Sequence, residues 1–223
     1  MSLNNKLKRK FRRIYDMDLL SVALESYRLG DVVEWDGLIK KPDFGNYSFV
    51  NFLRIPDKKK ADLKKQLENV KMVKADMSKI TIDRSYDFHT GLDIPNFATE
   101  VGVEVGNENF SDINIDNVQC KVIARELKFE LMQILKQAKE EEKKYYRKEL
   151  KHLFIINKLF YAGKANLTFK STTKSNVEAA VLKAKISNPK IQVNNTGEIN
   201  VSFSGNLAIP FAADIESVKD FMD

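Results

Sequence analysis

The chain has 223 residues, 43% of them hydrophobic and 10% aromatic, which suits one large domain with a sizeable core. Its single cysteine, Cys120, cannot form an internal disulfide and has no second cysteine with which to bind zinc. Both features are typical of a protein from a reducing compartment. No apolar run reaches the roughly 18 residues of a spanning helix, and no apolar stretch follows the charged N-terminus as a secretory signal requires. We therefore expect a protein that is cytoplasmic in its inactive state.

The net charge of +6 resides in one short segment. Its six cations precede residue 16 and have no carboxylate among them: Lys6, Lys8, Arg9, Lys10, Arg12 and Arg13. Of 37 Lys and Arg, these six leave 31, which equals the number of Asp and Glu. Leu3, Leu7, Phe11 and Ile14 recur at helical spacing, so residues 1–15 are predicted to form a basic amphipathic helix. Such a helix docks on an anionic surface, or packs its apolar stripe on the core and presents its charges to water.

Two short strands are predicted next, at residues 18–24 and 29–35. Trp35 begins a stretch to Gly45 in which glycine and proline interrupt the pattern and apolar residues alternate with lysines. This mixture is typical of a loop that touches a lipid interface, where tryptophan is favoured, and a loop folded back on the core explains it equally well. The predicted lipid-binding residues are therefore the six cations together with Phe11 and Trp35.

Further along, residues 57–69 predict a solvated helix with Asp57 as its N-cap. Alternating apolar residues then predict strands around residues 80–88 and 97–106. The spacing over 118–150 is helical, with a break near the charged residues 139–144.

The C-terminal third begins with a buried strand predicted at 152–161 that continues to Phe169. Residues 194–197 predict a hairpin turn before a returning strand at 199–203. Residues 211–222 predict a short acidic amphipathic helix, the main part of an acidic segment over 206–223. Together these elements predict one domain over 1–223 of the α+β class, with a twisted, mostly antiparallel sheet flanked by helices and two long hairpin regions.

The sequence contains no recognised pattern that pairs a nucleophile with a base, groups metal ligands or binds phosphate in a loop. G-x-S-x-G, H-E-x-x-H, Walker A and G-x-G-x-x-G motifs are absent from the sequence. His89 and His152 have no partner in the sequence and are interpreted as structural, and Cys120 as a packing residue. Glu100 and Glu104 lie about 13 Å apart on a strand of about 3.3 Å per residue, too far for a concerted acid–base pair. We expect no enzyme activity, no cofactor and no metal.

The order of elements resembles the membrane-perforating N-terminal domain of the gasdermins. The resemblance lies in Phe11–Val22, which is similar to the family's opening helix and first strand, and in Ser85–Val105, which is similar to its first long hairpin region. It continues in Leu153–Phe160 and in Asn206–Ala212, similar to the family's L-x-I-P ending.

This resemblance implies a cell-death or defence effector that binds acidic phospholipid through its first helix and oligomerises. Two regions then refold into hairpins of a β-barrel pore in the cell membrane. It also implies an activating protease or an inhibitory partner. The chain lacks a large C-terminal inhibitory domain and a near-terminal cysteine, so we expect a short form like bacterial or fungal members, or a chain cut at its activation site. Residues 211–222 are then expected to inhibit the protein by packing their apolar stripe beside the first helix.

Two alternatives use the same cations differently. In a nucleic-acid-binding protein they would neutralise phosphates, with Phe11 or Tyr15 stacking on bases. No recognised nucleic-acid motif supports this, and the body of the chain is neutral, so nucleic acid is not an expected partner. In the other alternative the basic helix binds an acidic protein partner.

Overall fold

The computed structural model consists of two antiparallel β-sheets flanked by helices, which confirms the predicted fold class. It describes residues 12–20, 27–35, 39–40, 47–76, 79–83, 110–150, 152–170, 172–183, 189–204 and 210–222. The strands are β1 (Asp18–Leu19), β2 (Val32–Trp35), β3 (Ile39–Lys40), β4 (Val73–Lys74), β5 (Lys79–Asp83), β6 (Phe110–Asp116), β7 (Gln119–Val122), β8 (Phe154–Tyr161), β9 (Lys164–Phe169), β10 (Lys190–Val193), β11 (Ile199–Ser204) and β12 (Pro210–Ser217). The helices are α1 (Phe49–Phe52), α2 (Asp57–Glu68), α3 (Arg125–Lys136), α4 (Glu140–Glu149), α5 (Lys174–Lys183) and α6 (Val218–Met222).

The seven-stranded sheet forms the body of the molecule. Its order is β1-β12-β8-β2-β3, with β7 joined to β8 and β4 joined to β7. The central strand β8 is a nearly continuous apolar run, and neighbouring residues on opposite faces, such as Ile155 and Ile156, are both buried. Helices α2, α3 and α4 contribute buried residues to the same core cluster, including Leu63, Leu131 and Tyr146. This sheet therefore has the character of a conventional protein core.

The five-stranded sheet differs in pattern. Its order is β10-β11-β9-β6-β5, and all its pairs are antiparallel. Along β9, Ala165, Leu167 and Phe169 are buried while the residues between them are half-buried and polar. Strict alternation of this kind gives the sheet one apolar and one polar face.

The two sheets are continuous at a double bend. β6 leads into β7 through Asn117, which has a φ of 53°, and β8 leads into β9 through Gly163. A Cβ atom at Gly163 would overlap the Asn117 carbonyl group, so only glycine allows the two bends to pack against each other. The long strand predicted over residues 152–169 is therefore a hairpin that passes from one sheet to the other.

The helical prediction over residues 118–150 needs correction near residue 120 and is confirmed near residue 140. Residues 119–122 are not helical but form β7, with Cys120 buried and paired with Phe160. The predicted break is present, because one helix ends at Lys136 and the next begins at Glu140. The apolar residues of the short strand β7 continue the helical spacing of α3. The sequence pattern therefore does not show where the strand ends and the helix begins.

The predicted acidic helix over 211–222 is wrong. Residues 210–217 form β12, which pairs with both β1 and β8, and only Val218–Met222 are helical. The register shifts between Asp214 and Ile215, and this irregularity spaces the apolar residues as a helix would. Phe211 and Ile215 are buried in the sheet, so they cannot form the inhibitory helical stripe that was expected to cover the first helix.

Other predictions are confirmed within the described residues. The helix over 57–69 is α2, although its N-cap is Pro56 and Asp57 lies in the first turn. The hairpin turn at 194–197 joins β10 and β11, and the Asn194 side chain accepts hydrogen bonds from the Thr196 and Glu198 amides at 3.0 and 2.8 Å. The strand predicted over 97–106 lies outside the described residues.

Candidate functional site

The described end of the basic segment is a helical turn on the surface. Residues 12–15 are helical, and Arg12, Arg13 and Ile14 are exposed. Five of the predicted lipid-binding residues, Lys6, Lys8, Arg9, Lys10 and Phe11, lie outside the described residues. The structure therefore shows how the segment is attached to the body.

The first attachment is a cluster of Arg12, Asp18 and Trp35. The Arg12 guanidinium lies 3.5 Å from Asp18 Oδ1, and the Trp35 indole N–H donates to the same oxygen at 3.0 Å. The guanidinium carbon also stands 4.7 Å from the centre of the Trp35 ring. Arg12 thus makes an ion pair and a cation–π contact at once, which fixes the helical turn beside the last residue of β2.

Asp18 is a buried carboxylate. Such a group is almost never buried without a partner, and the partners of Asp18 are Arg12 and Trp35. Asp18 is 6% exposed, and burial raises its pKa while Arg12 and the Trp35 hydrogen bond act in the opposite direction. Burial likewise raises the pKa of Asp214 on β12, and the nearby Asp16 carboxylate adds to that effect. The segment is therefore attached at a place where several carboxylates lie close together.

The second attachment is Tyr15 on the five-stranded sheet. Its hydroxyl donates to the Thr81 carbonyl oxygen at 2.9 Å and accepts from the Thr81 amide at 3.2 Å. Thr81 lies on β5, which is an edge strand of that sheet. Tyr15 therefore occupies both backbone groups that an edge residue would otherwise offer to another strand.

Trp35 does not lie in a loop. It ends β2, is 37% exposed, and its ring meets Phe154 edge to face at a centroid distance of 6.0 Å. Arg12 and Trp35 are thus brought together, whereas Arg13 is exposed to solvent. Contact of Trp35 with lipid stays a prediction.

Sequence reasoning missed Tyr15, Asp18 and Thr81 as contributors to the site. Asp18 carried a signal, because a single acid between Met17 and Leu19 in a predicted strand is a candidate for a buried partner of a nearby cation. Tyr15 and Thr81 are 66 residues apart in the chain, and no local pattern joins them.

A second structural feature concerns the ends of the five-stranded sheet. Asp83 of β5 pairs with Asp112 of β6, and Phe169 of β9 pairs with both Phe110 and Ile199. Residues 84–109 and 170–198 therefore both join the strands of this sheet at the same end, although residues 190–193 of the second stretch return to the sheet as β10. The first connection lies outside the described residues, as does its strand prediction.

The polar face of this sheet carries a row of hydrogen-bonded side chains. The Thr81 hydroxyl donates to Asn114 Oδ1 at 2.7 Å, and the Asn166 amide donates to Asp116 Oδ2 at 2.7 Å. Thr168 bridges β6 and β11 by contacts to Asp112 and Asn200. The opposite face is apolar, with Ile80, Ile115, Leu167, Phe169, Ile199 and Val201 buried.

Of the side chains with possible catalytic chemistry, the structure describes Cys120 and His152. Burial raises the pKa of the Cys120 thiol, which disfavours a reactive thiolate. His152 is exposed in the turn before β8. Among the described residues, no three His, Cys, Asp or Glu side chains are grouped so as to hold a metal ion. None of the described helices is both long and apolar enough to span a membrane.

One solved structure similar to this chain is a bacterial gasdermin from Bradyrhizobium tropiciagri. The TM-score is 0.45 at 10% sequence identity, over 92% of this chain and 83% of that one. No protein-family model matches the chain. No curated protein matches it either. At this TM-score and identity, the structural likeness assigns neither a family nor an activity.

Proposed function

We propose that this protein binds membranes rich in acidic phospholipid through its basic N-terminal segment, oligomerises, and forms a pore with strands that extend the five-stranded sheet. The observation that carries the proposal is the two-sided pattern of that sheet, combined with two long connections that leave it at one end. The roles as a cell-death or defence effector, and the need for an activating protease or an inhibitory partner, are part of the same proposal.

The pattern suits a strand that divides water from lipid. A membrane strand alternates apolar and polar residues with a period of two, and β5, β9 and β11 do so, as does β6 after the irregularity between Phe110 and Asp112. In the structure the apolar face is covered by protein. In a membrane the same face would meet acyl chains, and the Asp, Asn and Thr side chains would line the aqueous side.

The lengths are also sufficient. A membrane strand requires about 9–11 residues. The connection over 84–109 can supply two such strands and a turn, as continuations of β5 and β6. The connection over 170–198 can do the same for β9 and β11, if α5 and β10 are rebuilt. Because both connections leave the sheet at one end, the two hairpins would grow in the same direction.

Membrane binding would be driven by the charge of the basic segment. Each Lys or Arg near an anionic leaflet contributes about 1 kcal/mol, so six correspond to a dissociation constant of about 40 μM before orientation costs. The rest of the chain is neutral and adds no comparable attraction.

Docking would be coupled to assembly through Tyr15. When the segment moves onto lipid, Tyr15 leaves Thr81 and the edge of β5 becomes available. Once β10 has been rebuilt into the second hairpin, the opposite edge of this sheet is β11, so copies can join edge to opposite edge. A head-to-tail contact of this kind produces a ring when its rotation closes.

The test is leakage of dye from vesicles of neutral and of acidic phospholipid. We expect leakage only from acidic vesicles, and we expect it to be lost when Lys6, Lys8, Arg9 and Lys10 are changed to Glu. These four leave the Arg12 attachment intact. The matched control changes the exposed Lys58, Lys65, Lys71 and Lys74 to Glu, which alters the net charge equally.

Two outcomes would overturn the proposal. Equal loss in both variants would mean that overall charge, and not the segment, governs binding. Intact acidic vesicles together with tight, salt-steep binding of labelled nucleic acid would assign the cations to phosphates of DNA or RNA.

A further inference from the structure

A cleft of 560 Å³ lies on the helix-covered side of the seven-stranded sheet, and residues 12–15 are not part of its lining. Its walls come from residues 27–31 before β2, from the start of α1 and from the last turns of α2, and its floor from β7 and β8. This volume lies within the range of about 300–1,000 Å³ that is usual for small-molecule sites. Nothing in the proposed membrane function uses it.

Gly30 holds the walls of the cleft together. Its φ is +78°, and a Cβ atom there would come within 2.8 Å of Leu67 Cδ1 on α2. The Gly30 amide donates to the Ile156 carbonyl at 2.9 Å, and its own carbonyl accepts from Phe49 at 2.8 Å. The loop is therefore anchored to both β8 and α1, so the cleft is preformed.

The floor presents two polar side chains, those of Lys121 and Tyr161, beside the apolar Leu159. Lys121 pairs with Leu159 across β7 and β8, and Tyr161 follows two residues later on the same face. Tyr161 is 5% exposed, and burial raises its pKa to about 12, so its hydroxyl keeps its proton at neutral pH. Within the described part of the chain, this hydroxyl donates to no protein acceptor.

The charges around the cleft do not cancel locally. Arg28 is paired with Glu68 at 3.5 Å, and the Asp31 carboxylate accepts from the Arg28 amide at 2.9 Å. Lys64 and Lys121 are both half-buried, and neither forms an ion pair with any carboxylate that the structure describes. Lys64 and Lys121 thus line the cleft without an ion pair to any described residue, and with Arg28 they outnumber the two carboxylates of the lining, Asp31 and Glu68, by one.

We propose that this cleft binds a phosphate monoester, with Lys64 and Lys121 balancing its two charges and Tyr161 donating a hydrogen bond to a phosphate oxygen. A phosphate monoester carries between one and a half and two negative charges near pH 7, on three acceptor oxygens. Lysine binds phosphate as a point charge. Leu29, Leu67 and Leu159 supply an apolar lining for the organic part of the ligand.

The first test is isothermal titration calorimetry of the full chain with phenyl phosphate at pH 7.5, without lipid. We expect saturable binding at one site. The double variant Lys64→Gln with Lys121→Gln should weaken it by at least about tenfold, and Tyr161→Phe by about fivefold. The matched control Lys58→Gln lies on the same helix away from the cleft and should bind as the wild type does. Circular dichroism melts check that the variants are folded.

Absence of saturable binding to the folded wild type would overturn the proposal, as would equal weakening by Lys58→Gln. Phenyl sulfate carries one charge and should bind at least about fivefold more weakly than phenyl phosphate. Equal affinity for both would reject the assignment of a dianion.

A second set of measurements identifies the source of the phosphate. Phenyl phosphate should compete with glycerol phosphate for the cleft if the natural ligand is a soluble metabolite. If it is a lipid headgroup, vesicles containing phosphatidic acid should displace phenyl phosphate while vesicles of phosphatidylglycerol, a diester, should not. This displacement should persist in the variant whose Lys6, Lys8, Arg9 and Lys10 are Glu, so failure of the docking segment and failure of the cleft give different results.

Discussion

The two sheets of this protein are built from the same kinds of residue but are patterned differently. In the seven-stranded sheet the central strand β8 is buried on both faces, and α2, α3 and α4 pack into a shared core. In the five-stranded sheet each described strand is apolar on one face and polar on the other. The described apolar residues of the second sheet, such as Leu167 and Val201, do not belong to the helix-packed cluster.

The difference shows which part of the molecule can change its surroundings. A sheet that is apolar on both faces is stable only inside protein, because water cannot solvate either side. A sheet with one apolar and one polar face can change its surroundings more easily. It requires only that another apolar surface, such as acyl chains, take the place of the protein that covers its apolar face. The segment that would start such a change is attached to both, through Arg12 on the first sheet and Tyr15 on the second.

The largest effect is expected from removal of the C-terminal strand. Deleting residues 211–223 removes β12 from between β1 and β8, and we expect the protein to become insoluble or unfolded by circular dichroism. Truncation after Lys219 keeps β12 and should preserve the sheet. A folded, leakage-competent deletion of 211–223 would show that the seven-stranded sheet is not the body that we describe.

A pair of leucine substitutions compares the sheets directly. Leu159→Ala and Leu167→Ala remove the same volume from positions that are 1% and 0% exposed. We expect Leu159→Ala to cost about 3 kcal/mol of unfolding free energy and to speed amide hydrogen exchange throughout the chain. Leu167→Ala should cost about 2 kcal/mol and speed exchange mainly in β5, β6, β9 and β11. Identical exchange patterns would mean that the two sheets unfold as one unit.

Much of the five-stranded sheet could be predicted from the sequence because its alternation is regular. The β10–β11 hairpin was correctly placed by Asn194 and Gly197, and alternation predicted the described part of β5. The seven-stranded sheet was harder. β12 is buried on both faces and irregular at Asp214, so its apolar spacing imitates a helix. The spacing of apolar residues along the chain shows which face of a strand or helix is buried. Where both faces are buried, the spacing no longer distinguishes a strand from a helix.

The candidate site was predictable only in its charge. The six cations could be counted, but their attachment depends on contacts between distant parts of the chain. Asp18 and Trp35 are 17 residues apart, and Tyr15 and Thr81 are 66 apart. The same holds for the cleft, where Lys64 and Lys121 come from a helix and a strand that no local pattern brings together.

The attachment of Tyr15 can be weakened without changing the ring. Tyr15→Phe removes both hydrogen bonds to Thr81, and because Thr81 is exposed, water replaces them at a cost of about 1 kcal/mol or less. We expect faster exchange of the Thr81 amide and leakage from acidic vesicles that is up to about fivefold faster. Tyr145→Phe, on α4 and outside the cleft, is the control for loss of a tyrosine hydroxyl. Slower leakage in Tyr15→Phe would mean that this contact supports the active state.

The smallest effect concerns the carboxylates near the other attachment. Burial raises the pKa of Asp214 in the folded protein above its ordinary value of 3.8, with Asp16 adding to the shift. Between these two pKa values the folded state binds more protons than the unfolded state, so the free energy of unfolding falls as pH rises through this window.

Above the window the folded protein carries the full cost of the buried charge, and below pH 3.8 that cost is absent. Asp214→Asn should therefore raise the melting temperature at pH 7 and leave it nearly unchanged at pH 3.5. Asp220→Asn makes the same change of net charge at an exposed position and should have little effect at either pH. A lower melting temperature of Asp214→Asn at pH 7 would mean that the ionised Asp214 stabilises this edge, and that the seven-stranded sheet tolerates charge at the point where the basic segment is attached.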